Sequence, residues 1–285
     1  MLTHYLKQLT LHTRFVALAA PLSHLAALPR RISQPELREI KQEPKLLAAA
    51  CRLLLLPQSS TIEACSELES QLALCVRLAP EGKHVAFEQE EQKARRLRRK
   101  FPGVDVRQVA LLNEALRREL AAAESDNDAS PLPPPTDAQD VLSAMRLEGR
   151  SLDALIDPAQ PIDLIRLSVT GAELFVMMGA EQLLMRCRPS LVFESTLSAL
   201  AQWELRPQDV FDYLNGLGYR VFLPRAFVAG GGPLLRAEFT EAHASPLLAC
   251  NFIATAPERV CGRRLVQRSV RRSERVPLAG QVNVA

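Results

Sequence analysis

Residues 168–173, Ser-Val-Thr-Gly-Ala-Glu, set two hydroxyls, a carboxylate and a glycine within one short turn. Such side chains can accept or donate protons, and a glycine lets a ligand come close to the backbone. The surroundings make this turn a candidate site. Ile162 to Val169 is apolar at most positions, with β-branched Ile162, Ile165 and Val169, as a strand buried on both faces requires. Thr170-Gly171 ends that run. Ala172 to Arg186 then carries Leu174, Val176, Met177, Ala180, Leu183 and Leu184 at helical spacing, which predicts one helix. Arg186 and Arg188 suit a helix C-terminus, Pro189 stops the helix, and Leu191 to Phe193 is a second short strand. Two buried strands joined by a helix form a parallel crossover. Ligands of such sheets bind beyond the carboxyl ends of the strands, where residues 168–173 fall. Glu173 is a candidate proton acceptor there, or an acid that satisfies the positive end of its helix. Glu194 ends the second strand and either faces the same place or forms a cap or salt bridge.

These residues resemble the FkbM-type methyltransferases, which use S-adenosylmethionine. The shared pattern is Ile162-Asp-Leu-Ile-Arg166, Gly171-Ala-Glu173, Gly179-Ala180, Arg188-Pro189 and Phe193-Glu194. Ser168 and Thr170 stand where the family keeps Asp and Glu, so neutral hydroxyls replace two acids. Gly82 to Glu88 is similar to the family's second strand. The resemblance makes Glu88 the ribose ligand, because one carboxylate can accept both ribose hydroxyls. Residues 104–111, 151–155, 210–222 and 251–254 match further family segments in order, so the likeness covers residues 60–255.

The family opens on a glycine loop after its first strand. Here that stretch is Ile62 to Glu69; Glu63 stands for the family's Asp, and Cys65 and Glu69 occupy glycine positions. A Cβ at each narrows a pocket that the family keeps open. The resemblance thus implies a site of Glu63, Cys65, Glu88 and Ser168 around S-adenosylmethionine. It also implies Glu173 as catalytic residue and a small-molecule or glycan hydroxyl as acceptor. With the loop and the acid pair altered, the alternative is a non-catalytic relative that keeps the fold as a binding or scaffold module.

The fold expected is α/β: a doubly wound, mostly parallel, seven-stranded Rossmann-like sheet whose last strand is antiparallel. Strands are predicted at 61–65, 84–88, 104–109, 162–168, 190–194, 219–223 and 250–254. Residues 34–56, 90–100 and 111–123 read as helices, and the stretch 210–222 reads as a helix, a glycine turn and the sixth strand. Gly230 to Pro233 reads as a plain hairpin loop between the last two strands, and Trp203 as packed against the domain.

Composition fits a globular chain, at 47% hydrophobic and 24% charged residues. The net charge of +3 hides an asymmetry: residues 257–285 carry +5 and residues 1–35 carry +4, leaving −6 on the body. A basic end attracts anionic surfaces, but this one has no interleaved aromatics and gives no specific nucleic-acid signal. The six cysteines form no C-x-x-C pair, and the five histidines are scattered. That points to buried thiols in a reducing, cytoplasmic setting with no metal site. No segment reads as transmembrane. The organisation expected is an N-terminal helical extension over 1–58, a methyltransferase-like domain over 59–256 with a Pro-rich insertion at 125–137, and a basic, disordered tail over 257–285.

Overall fold

The computed structural model describes residues 35–65, 68–111, 150–169, 171–244 and 249–259. The N-terminal extension before residue 35, residues 112–123 of the helix expected over 111–123, the insertion at 125–137, Thr170, and the tail beyond residue 259 lie outside them. The chain divides into two compact units, Met1–Gln42 and Glu43–Ala285, and the sheet belongs wholly to the second.

Each predicted strand is present within a residue or two of its expected ends. In chain order the elements are α1 (Pro35–Leu54), β1 (Thr61–Cys65), α2 (Leu68–Leu78), β2 (His84–Phe87), α3 (Glu91–Lys100) and β3 (Asp105–Arg107). Then come α4 (Leu152–Leu155), β4 (Leu164–Ser168), α5 (Glu173–Met178), α6 (Glu181–Cys187), β5 (Ser190–Glu194) and α7 (Leu197–Leu200). A 3-10 turn at Ala201–Trp203 leads to α8 (Pro207–Gly216), β6 (Arg220–Phe222), α9 (Pro224–Ala229), α10 (Arg236–Ala242) and β7 (Asn251–Thr255).

The strands form one seven-stranded sheet in the order β3-β2-β1-β4-β5-β7-β6. All neighbours are parallel except β7, which runs antiparallel to both β5 and β6. The register sorts side chains onto two faces, because successive residues of a strand alternate. Glu63, Arg166, Val192 and Ile253 pair across one face. Leu47, Ala50 and Cys51 of α1 and Leu74 and Cys75 of α2 pack onto that side. The opposite face carries Ile62, Ile165, Leu191, Phe193, Phe252 and Ala254 beneath Leu152, Leu174, Leu183, Leu214 and Phe239. Burial on both faces is the reason the central strands read as continuous apolar runs.

Two sequence expectations are corrected. The run Ala172 to Arg186 is two helices, because α5 ends at Gly179 and α6 starts after Ala180. The break frees amide groups at the start of α6. Asp153 takes two of them, Gln182 at 2.9 Å through Oδ2 and Leu183 at 2.8 Å through Oδ1, as helix N-termini require. Between β6 and β7 there is no plain hairpin loop but α9 and α10; Gly230, at φ +76°, ends α9.

Candidate functional site

β1 and β4 leave on opposite sides of the point where the strand order reverses, and their carboxyl ends are in register, Cys65 beside Ser168. A crevice at such a switch point is where an open α/β sheet binds ligands. The side chains on the α1–α2 face at this edge, read from the register, are those of Ser168 and Glu194, with Asn251 opposite Glu194. Ser168 Oγ donates to Glu194 Oε2 at 2.5 Å, so the two strand ends are tied directly.

Glu173 opens α5 yet is only 2% exposed. Its side chain folds back over the turn after β4, where Oε1 accepts the Val169 amide at 2.8 Å. Among the described residues Oε2 has no hydrogen-bond partner. Burial pushes the carboxyl up to about 7; amides of the turn oppose the shift, and the charge of Glu194 adds to it. A group that holds its proton around neutrality can both take and return one. Gly171 makes this fold-back possible with φ +90°, and the indole of Trp203 closes in beside it. Trp203 in turn meets Phe175 edge-on, with ring centroids 5.6 Å apart.

Further carboxylates and nucleophiles surround the end of β5. Glu43 of α1 accepts the amides of Cys250 and Asn251 through Oε1 at 2.9 and 3.0 Å, and Asn251 Nδ2 through Oε2 at 3.0 Å. Burial raises its carboxyl, its hydrogen bonds oppose that, and the charge of Glu194 raises it further. Ser195 Oγ lies 2.8 Å from Nε2 of buried His243, whose Nδ1 lies 2.7 Å from the Phe239 carbonyl. That carbonyl can only accept, so Nδ1 donates and Nε2 accepts the serine proton. Burial keeps the imidazole below its usual range.

The residues expected from sequence are therefore only partly gathered. Ser168 and Glu173 flank the turn after β4, and Cys65 ends the adjoining strand. Glu88 follows β2, two strands from β4, and its Oε1 accepts the amide of Glu90 at 2.9 Å. Glu63 is a correction. Its side chain is fully buried in mid-strand under α2, where Oε1 accepts Cys75 Sγ at 3.0 Å and Oε2 lies 3.7 Å from Arg166 Nε. A strand residue two positions before the edge shares the face of the edge residue but not its place beyond the sheet. Glu69 pairs with Arg96 at 2.9 Å and Lys100 at 2.5 Å, both on α3. Glu67 lies outside the described residues. Glu43, Ser195 and His243 escape notice in the sequence; a contact spanning 207 residues leaves no local pattern.

The sheet order, the antiparallel β7 and the switch point between β1 and β4 define a Rossmann-like methyltransferase fold. The family model of the methyltransferase FkbM domain matches residues 64–221, and the chain belongs to that family. Among solved structures it is similar to the methyltransferase FkbM from Methylobacillus flagellatus, at 13% identity and a TM-score of 0.42, over 70% of this chain and 44% of that one. It thus spans less than half the length of that relative. An rRNA methylase from Streptococcus thermophilus is 12% identical, with a TM-score of 0.40 over 74% of this chain and 93% of its own. A Streptococcus mutans protein solved in complex with SAH is 14% identical, with a TM-score of 0.39 over 75% of this chain and 97% of its own. No curated protein matches the chain.

Proposed function

We propose that the chain transfers a methyl group from S-adenosylmethionine to a hydroxyl of a small molecule or glycan, in the cytoplasm. The observation that carries this reading is Glu173: buried at the carboxyl end of β4, proton-holding up to about 7, with one oxygen unpartnered among the described residues. When bound, the donor supplies an electrophilic methyl group on a sulfonium. The chain's own part is to hold donor and acceptor in line and to receive the acceptor's proton. Glu173 Oε2 is the atom for that proton, while Oε1 stays on the Val169 amide. Ser168 keeps Glu194 fixed alongside. Glu88 would hold the ribose.

The edge suits a cationic donor. Burial raises Glu173, Glu43 and the thiol of Cys250, and the charge of Glu194 adds to each shift, so all three lie within reach of one negative charge. Glu69, at a glycine position of the loop, has its charge engaged by Arg96 and Lys100. Among the described residues no helix is long and apolar enough to cross a membrane.

Titration calorimetry with S-adenosylmethionine tests the reading, with binding expected at micromolar levels. Glu88→Ala should weaken that binding by roughly ten- to a hundredfold, the effect of a charge-assisted hydrogen bond. An unchanged affinity would reduce Glu88 to the cap of the turn before α3.

A second reading, a non-catalytic binding or scaffold module, is favoured by Cys65 and Glu69 in place of loop glycines. On that reading the parent chain does not bind the donor. Cys65→Gly combined with Glu69→Gly should then restore a donor-induced rise in thermal midpoint, measured within each variant because added glycines loosen the unfolded chain.

A further inference from the structure

One helix of the acidic body carries the opposite charge. Residues 36–256 sum to −6, yet α3 alone holds six bases and one acid, a net of +5, which leaves −11 on the rest of that stretch. Only Ala94 and Leu97 of α3 are buried, and all six of its bases are exposed. Side chains three and four apart on a helix are neighbours, so Arg95 adjoins Arg98 and Arg99, and Arg96 adjoins Arg99 and Lys100. Like charges at that spacing oppose the helix they sit on.

The acids nearby do not balance them. Glu90 pairs with Lys93 and Glu91 with Arg95, while Arg96 and Lys100 share Glu69. Arg98 Nε donates to the Val106 carbonyl of edge strand β3 at 3.0 Å, and Arg99 Nε to the Arg95 carbonyl at 3.5 Å. Neither of these two guanidinium groups meets a carboxylate among the described residues. Arg95 and Arg96 keep 64% and 65% of their side-chain surface in water despite their partners. Ion pairs so exposed are weak, and a stronger anion displaces them.

We propose that the outer side of α3 binds the phosphate backbone of double-stranded RNA. Its four arginines present planar forks that match phosphate oxygens. Lys93 to Lys100 spans about 10 Å of helix axis, so the anions that meet it must be closely spaced. A nucleic-acid duplex supplies such a row, with roughly one charge per 1.7 Å of axis in DNA. A single strand is held by stacking on aromatic rings, and α3 contains none. A membrane surface needs apolar side chains beside the bases, and those of α3 face inward. An acidic protein needs an apolar or aromatic centre to the contact, which α3 also lacks. The choice of RNA over DNA rests on the cytoplasmic location proposed above. Contacts confined to phosphates make the binding independent of sequence. The acidic remainder of the body repels the same polymer, which leaves α3 and the basic chain ends to meet it. This surface does not depend on methyl transfer, and a failed donor titration leaves it standing.

The test uses the full chain and a short labelled RNA duplex, with binding followed by fluorescence anisotropy from about 50 to about 200 mM salt. Arg95→Gln combined with Arg99→Gln should weaken binding roughly tenfold and flatten the plot of log affinity against log salt by roughly one to two. Glutamine keeps the helix, so the thermal midpoint should not fall. The control pair is Arg206→Gln with Arg236→Gln, which removes the same charge from arginines held by Asp209 and Asp212. It should leave affinity and slope unchanged. The chain ends bind alike in all these proteins, so the difference between the pairs reads α3. An unchanged affinity and slope in the α3 pair, an equal loss in the control pair, or tighter binding to the single strand or to a DNA duplex of the same sequence would overturn the proposal.

Discussion

At about pH 8 the Glu173→Gln protein unfolds at a higher temperature than the parent, by on the order of 8 °C, while near pH 4 the two unfold together. The parent carboxyl titrates at about 7 in the folded chain, against a value of 4.5 when exposed. Its folded value is raised, so its favourable contribution is complete below pH 4.5 and disappears as pH climbs through 7. The difference corresponds to about 3 kcal/mol of stability lost at alkaline pH. Glutamine mimics the protonated acid: its Oε1 can still accept the Val169 amide, and it carries no charge to bury. Glu43 is raised as well, and His84 and His243 are lowered. Those groups bend the pH curve of parent and variant alike, so the difference between the two curves isolates Glu173. Thermal unfolding followed by circular dichroism across the range reads it. A difference that does not vary with pH would mean that the Glu173 carboxyl titrates alike in the folded and the unfolded chain.

Gly171→Ala is expected to destabilise by more than about 3 kcal/mol, read as a lowered midpoint in urea. An alanine Cβ there would stand 2.3 Å from the carbonyl oxygen of Ala199 and 2.9 Å from Trp203 Cδ1. The φ of +90° is itself strained for any residue with a Cβ. The Ala199 backbone cannot retreat freely, because its amide caps α7 through Thr196 Oγ1. The control is Gly216→Ala in α8, where an added Cβ meets nothing within 4 Å. That change should be neutral or stabilise by up to about 1 kcal/mol, since alanine favours the helix. Equal effects of the two substitutions would mean that the turn after β4 can relax.

How much of this is legible in the sequence depends on the range of the interaction concerned. The strands are readable because β-branched and apolar runs such as 164–168 and 190–194 are buried on both faces. Helix periodicity over 172–186 is real, but it cannot show that Asp153 captures the amides of Gln182 and Leu183 and so rewards a break at Gly179-Ala180. The turn of Ser168 and Glu173 is found from its place after a strand. The unpartnered oxygen of Glu173 is not, since burial is a property of the packed chain. Glu63 is misplaced for a similar reason: alternation along β1 gives its face, and only Cys75 and Arg166, 12 and 103 residues away, show that it is enclosed.

The position of β7 has a consequence for how the chain is made. β7 is the last strand of the sheet in sequence, yet it lies inside it, between β5 and β6. Among the described residues β6 has no other strand partner, and until residues 251–255 arrive β5 has an open edge on that side. On the ribosome, the parallel strands β3-β2-β1-β4-β5 can therefore assemble from the emerging chain while β6 waits. Over that interval the β5 edge, with Leu191, Val192 and Phe193, is a template for any strand that reaches it first. A chaperone that shields a nascent apolar edge would act on this protein late in its synthesis, and a chain truncated before residue 251 would be a strong aggregation risk even with five strands in place.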